Sequence, residues 1–190
     1  MYFSIIIPVF NRPDEVDELL LSLTSQTKQQ FEVIIVEDGS ARKSDRVVQK
    51  YEHRLPLRYI YKANSGPGLS RNEGARHAKY DYLLFFDSDC IIPPHYMEAV
   101  DARLSEKYVD AYGGPDRAHS SFTTIQKAIN YSMTSFFTTG GIRGGKKSMD
   151  KFHPRSFNLG VSKKAFESLN GYGSMRFGED VDFSLRLIEK

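Results

Sequence analysis

Short apolar runs alternate with amphipathic stretches through the first half of the chain. Ile5-Ile6-Ile7, Val33-Ile34-Ile35-Val36 and Tyr82-Leu83-Leu84-Phe85-Phe86 are continuously apolar, as strands covered on both faces should be. Leu57-Arg58-Tyr59-Ile60-Tyr61 is a fourth strand-like run. Between the first two runs, Pro13 suits the first turn of a helix and Asp14 and Glu15 suit its positive end. Val16, Leu19, Leu20 and Leu23 then form one apolar stripe. The spacing predicts three further helices. One starts at Ser44 and buries Val47, Val48 and Tyr51; one follows Pro67-Gly68, where small Gly74 and Ala75 permit close packing on a sheet; one follows Pro93-Pro94, with Met97, Val100 and Leu104 on one face. Repeated strand–helix units of these lengths predict an α/β fold with a largely parallel central sheet flanked by helices.

The second half is less regular. Phe122, Ile125, Ile129, Met133, Phe136 and Phe137 form a helical stripe, read first as core and otherwise as an interface or membrane-surface face. Thr138 to Lys151 is rich in Gly and Lys and reads as a loop. A strand around Phe157 to Val161 and a helix from Glu179 close the sequence. The helical pattern is still running at Lys190, which predicts a truncated chain. No internal repeat is visible. The expectation is one domain over 1–190, with a regular half (1–92) and a less regular half (93–190).

Length and composition narrow the class without naming it. The 190 residues, 40% hydrophobic and 26% charged, suffice for one sizeable core and argue against disorder. A net charge of +2 gives no global field that would single out nucleic acid. Cys90 is the only cysteine, so an intrachain disulfide is impossible and a cytoplasmic location is the simpler expectation. No apolar stretch is long enough to span a bilayer, and the N-terminus lacks the pattern of a signal peptide.

Candidate chemistry gathers at strand ends. Asp87-Ser88-Asp89 directly follows the apolar run Tyr82 to Phe86, and in open α/β sheets the carboxyl ends of strands border the ligand crevice. Two carboxylates one residue apart in a non-helical turn can reach one hard cation, with a diphosphate supplying further oxygens, which suits Mg²⁺ or Mn²⁺. A plain polar turn is the bland alternative. Glu37-Asp38, also just past a buried run, could accept hydrogen bonds from a base or ribose, or could serve a turn and helix cap. Gly66-Pro67-Gly68-Leu69-Ser70-Arg71-Asn72 offers a glycine-rich helix entry that can cradle phosphate, with Arg71 adding charge. Gly178-Glu179-Asp180-Val181-Asp182 either places helix-stabilising acids in a first turn or supplies a general base at a pocket rim. Cys90 reads as a buried small hydrophobe, and the five histidines show no metal-ligand spacing. The basic run Arg143, Lys146, Lys147, Lys151 and Arg155 reads as a solvated loop able to close over a diphosphate or touch anionic lipid.

These blocks, in this order, resemble family-2 glycosyltransferases: Ile6-Ile7-Pro8-Val9-Phe10-Asn11, Val36-Glu37-Asp38-Gly39-Ser40, Gly68-Leu69-Ser70-Arg71-Asn72, Phe86-Asp87-Ser88-Asp89, and Asn158-Leu159-Gly160-Val161-Ser162 through Gly171-Tyr172 to Gly178-Glu179-Asp180-Val181-Asp182. The resemblance implies a GT-A fold and inverting transfer from a nucleotide-sugar, a UDP-sugar by preference, to a saccharide or lipid-linked acceptor. By resemblance, Pro8, Val9, Phe10 and Asn11 would line the nucleoside site and Asp38 would bind the base. Arg71 would contact the base or diphosphate, Asp87 and Ser88 would lie near the ribose and metal, and Asp89 would ligate Mg²⁺ or Mn²⁺ directly with Asp87 beside it. Asp180 would be the catalytic base, with Glu179 shaping the acceptor site. Phe10 stands where a tyrosine is common, Glu37 replaces an aspartate, and the tryptophan-containing motif of processive members is absent, which favours transfer of a single sugar. Peripheral contact with the inner face of a membrane and a homodimer complete the expectations. Two rivals remain: a dinucleotide binder, from the spacing of Gly66, Gly68 and Asp87, and a non-catalytic nucleotide-sugar-binding module.

Overall fold

The computed structural model describes residues 1–113 and 157–190. Six strands among them, β1 (Phe3–Val9), β2 (Phe31–Asp38), β3 (Leu57–Lys62), β4 (Tyr82–Phe86), β5 (Ala111–Gly113) and β6 (Asn158–Ser162), form one sheet in the order β3-β2-β1-β4-β6-β5. The first four run parallel, while β6 pairs antiparallel with both β4 and β5. The order turns at β1, with β2 on one side and β4 on the other, so a crevice forms beyond their carboxyl ends. This is the expected α/β architecture, with one antiparallel strand set into it.

Six helices are described: α1 (Pro13–Thr24), α2 (Asp45–Tyr51), α3 (Pro67–His77), α4 (Tyr96–Glu106), α5 (Lys163–Ser168) and α6 (Glu179–Glu189). Side chains of a strand alternate between faces, and each of the three central parallel strands splits its residues between two cores accordingly. Ile5, Ile7, Val33, Ile35, Leu84 and Phe86 meet α1, α2 and α4 on one face. Ile6, Ile34, Val36, Leu83 and Phe85 meet α3, α5 and α6 on the other. All four apolar residues of the α1 stripe are buried, and so are Met97, Val100 and Leu104 of α4. On α2, Val48 and Tyr51 are buried while Val47 packs at the margin.

Helix α3 has only a weak apolar stripe, and glycine rather than bulk brings it onto the sheet. A Cβ on Gly74 would lie 2.4 Å from Cγ2 of the fully buried Ile6. β3 forms one edge of the sheet, and none of its residues is fully buried, whereas every residue of β2 and β4 is. Neither β5 nor α5 was expected. Three residues give no period to read, and α5 spans six residues, its entry marked only by Ser162, whose hydroxyl accepts the Ala165 N–H at 3.1 Å.

No described helix is long and apolar enough to cross a membrane. The stripe from Phe122 to Phe137, the Gly/Lys stretch and the basic run from Arg143 to Arg155 lie outside the described residues.

Candidate active site

The carboxyl ends of β1, β2 and β4, the entry to α3 and the start of α6 enclose one cleft of about 590 Å³. Asp38, Asp87, Ser88, Asp89, Glu179 and Asp180 all line it, together with Pro8, Val9, Phe10 and Arg71. Ten of the eleven residues to which the resemblance gives site roles therefore share one cavity.

Asn11 is the exception. It adopts a left-handed backbone (φ 58°), its N–H donates to Ser40 Oγ at 2.7 Å, and its Oδ1 accepts the N–H groups of Ala41 and Arg42 at 2.8 and 3.0 Å. Its side chain ties the end of β1 to the loop after β2. Glu37, in turn, faces away from the cleft, because adjacent strand residues point to opposite faces. Fully buried, its carboxylate accepts from Ser40 Oγ, from the Ser44 N–H at 2.8 Å and from Tyr59 Oη at 3.2 Å.

Asp38 sits at the floor of the cleft, with only 5% of its side chain exposed. Oδ1 takes Lys62 Nζ and the Ser65 N–H (2.9 Å), and Oδ2 takes the Gly66 N–H (2.8 Å). Asn64 Nδ2 donates to the Asp38 carbonyl at 2.8 Å. The loop after β3 is thus wrapped around Asp38. Gly39 permits this approach, since its φ is 73° and a Cβ there would stand 2.7 Å from the Asn64 nitrogen.

The turn after β4 is held differently. Arg71, with 3% of its side chain exposed, donates from Nη2 to Asp87 Oδ1 at 2.7 Å and from Nη1 to Glu179 Oε1 at 3.1 Å. Its guanidinium carbon lies 5.3 Å from the Tyr172 ring centroid. Desolvation alone would lower the guanidinium's pKa. Tyr172, Asp87 and Glu179 outweigh it, and the group ends above its ordinary value. Among the described residues, Arg71 Nε and Tyr172 Oη have no hydrogen-bond partner.

Asp89 is the most open of these carboxylates, its side chain 57% exposed, and meets Arg12 Nη1 at 3.2 Å across the mouth of the cleft. Sequence reasoning missed Arg12, along with Arg176 and Phe177, which also line the cleft. Their residue types carry no pattern, and only the folded geometry brings them there. Cys90 follows Asp89 but turns inward. Burial, reinforced by Asp87 and Asp89, pushes its thiol up to about 12, so it stays a protonated filler rather than a nucleophile.

Among the described residues no cluster of three His, Cys, Asp or Glu side chains could hold a metal ion by itself. Asp87 and Asp89 nonetheless fit a shared Mg²⁺ or Mn²⁺. Both offer hard carboxylate oxygens to the same cavity, Asp89 is tethered only by an exposed pair, and such ions commonly take their other ligands from water and substrate phosphate.

A second cavity, about 670 Å³, lies against α3 and α5. Its cations are already engaged, Lys62 by Asp38, Lys163 by the Ala78 carbonyl and Arg76 by Glu73, and it contains none of the cleft's aspartates.

Parallel strands feeding an acid-lined cleft at the sheet's turning point, closed by one antiparallel strand, define the GT-A class of nucleotide-sugar-binding folds. Residues 4–169 match the family described as glycosyl transferase family 2, and the chain belongs to that family. Among curated relatives, an uncharacterized glycosyltransferase of Haemophilus influenzae is 31% identical over 98% of this chain and 62% of its own length. A chondroitin synthase of Pasteurella multocida is 43% identical over 98% of this chain and 23% of its own. The chain thus spans less than two thirds of these relatives. Among solved structures, Staphylococcus aureus TarS in complex with UDP-GlcNAc shares the fold with a TM-score of 0.77 at 24% identity, over 98% of this chain and 53% of that one.

Proposed function

We propose that the chain is the catalytic domain of a metal-dependent, inverting glycosyltransferase that moves one sugar from a nucleotide-sugar donor to a hydroxyl of a saccharide or lipid-linked saccharide acceptor. The observation that carries this reading is the convergence of Asp38, Asp87, Asp89 and Asp180 on one cleft. The TarS complex with UDP-GlcNAc supports a UDP-sugar as donor. A mannosyltransferase of Pyrobaculum calidifontis with the same fold, in complex with GDP-Man and Mn²⁺, supports the cation.

Residues 1–92 would form the nucleotide-binding half. Pro8, Val9 and Phe10 line the cleft beside Asp38, the acceptor for a base N–H. Asp87 and Asp89 would hold Mg²⁺ or Mn²⁺, which when bound neutralises charge developing on the leaving diphosphate. Residues 93–190 would form the acceptor half. Asp180, in the first turn of α6, would take the proton of the acceptor hydroxyl. The hydroxyl oxygen bonds to the anomeric carbon as the bond from that carbon to the phosphate oxygen breaks. Attack from the face opposite the leaving group inverts the anomeric centre, through an oxocarbenium-like transition state. Rim arginines Arg12 and Arg176 suit a dianionic diphosphate.

Calorimetry with UDP, GDP, CDP and dTDP, each with and without Mn²⁺, tests the donor and cation assignments together. UDP should bind most tightly, and only with the cation, and Asp89→Ala should abolish the dependence. Equal affinity with and without Mn²⁺ would refute the metal-dependent reading.

A further inference from the structure

Arg71 is shared by two carboxylates from different walls of the cleft: Asp87 on the turn after β4 and Glu179 at the start of α6. Arg71 and Glu179 are sunk to 3% and 9% side-chain exposure, whereas Asp87 remains 39% exposed and faces the cavity. The path between α3 and α6 is kept bare. A Cβ on Gly68 would stand 2.9 Å from Glu179 Cγ and 3.2 Å from Tyr172 Cβ, so a larger residue there would press on Glu179 where it reaches Arg71. A guanidinium this buried must keep a counter-charge, because an unpaired charge in a low-dielectric site is strongly penalised. Were Asp87 its only partner, Asp87 could not serve a cation without stranding Arg71.

We propose, on the metal-dependent reading above, that Glu179 is a positioning residue that acts through Arg71 on Asp87. By carrying the guanidinium's charge it leaves the Asp87 carboxylate available to the cation and donor. The same contact fastens α6, and with it Asp180, to the donor side of the cleft. This differs from a role in shaping the acceptor pocket, since Glu179 spends its carboxylate on Arg71 rather than on the open cavity.

The test is Mn²⁺ affinity at saturating UDP, followed by the paramagnetic resonance of free Mn²⁺, in wild type, Glu179→Gln, Arg71→Met and the double variant. Glu179→Gln keeps the shape and removes the charge, and should weaken Mn²⁺ binding about tenfold, the scale of one lost charge-assisted contact. In the Arg71→Met background the same substitution should have no effect, because the two residues act as a unit. Glu179→Asp, which keeps the charge, should stay within about threefold of wild type on the same scale. Unchanged affinity in Glu179→Gln, an equal loss with and without Arg71, or a loss in Glu179→Asp as large as in Glu179→Gln would each overturn the proposal. A wild-type protein that binds no Mn²⁺ sinks the metal-dependent reading and this inference with it. A wild type that binds while Glu179→Gln matches it sinks only the role of Glu179.

Discussion

The same dipeptide, Glu-Asp, occurs twice at this cleft, as Glu37-Asp38 at the end of a strand and Glu179-Asp180 at the start of a helix. In both, the glutamate is buried and its carboxylate is spent on donors of the protein itself; both aspartates line the cavity, and of the two glutamates only Glu179 borders it. The difference lies in what each glutamate holds. Glu37 takes two hydroxyls and one backbone N–H, all neutral, and so fixes the loop leading to α2. Glu179 takes a cation that also pairs with Asp87, so its charge reaches the chemistry of the cleft. One glutamate holds up the fold; the other sets a charge balance. The aspartates differ as well. Asp38 is gripped by three donors on the cleft floor, whereas Asp180 is half-buried on a helical first turn that Arg71 tethers through its neighbour.

Substitutions at Asp180, Asp38 and Glu37, and at Arg12 on the rim, should separate along those lines. The largest effect is expected at Asp180: the Asp180→Asn variant should lose turnover by ~10²–10⁴-fold with UDP affinity unchanged, read by steady-state kinetics beside calorimetry. Asp38→Ala should do the opposite, weakening UDP by about 10–100-fold, the scale of one or two charge-assisted hydrogen bonds. It should also lower the melting temperature, because Lys62 and the Ser65 and Gly66 N–H groups lose their acceptor. Glu37→Gln should leave donor affinity within about threefold and cost ~1–3 kcal/mol in urea unfolding, the range for disturbing a satisfied buried polar group. A Glu37→Gln protein of normal stability and weak UDP binding would erase the distinction drawn between the two pairs. Smallest of all, Arg12→Ala should change stability by less than ~1 kcal/mol, because its pair with Asp89 is exposed on both sides.

The layers of the fold were legible because central strands covered on both faces carry continuous apolar runs, and Ile5–Ile7 in β1, Val33–Val36 in β2 and all of β4 are such runs. The convergence of Asp38, Asp87 and Asp89 was legible for the same reason: parallel strands end on one side. What the letters hide is which face of a strand borders a cavity. Glu37 and Asp38 are equivalent in sequence, and only the packing of β2 between two helical layers separates them. Arg71 is hidden in another way. Arginine is ordinarily a surface residue, and its burial depends on two carboxylates, one of them 108 residues away along the chain. β5 and α5 were too short to leave a period.

The antiparallel pairing of β6 has a further consequence. Gly113, where β5 ends, is registered against Leu159, and Asn158, where β6 begins, against Phe86, the residue before Asp87. The end of β5 and the start of β6 are therefore neighbouring points of the sheet, both next to the Asp87-Ser88-Asp89 turn. Main-chain pairing of β6 with β4 on one side and with β5 on the other anchors both ends beside that turn.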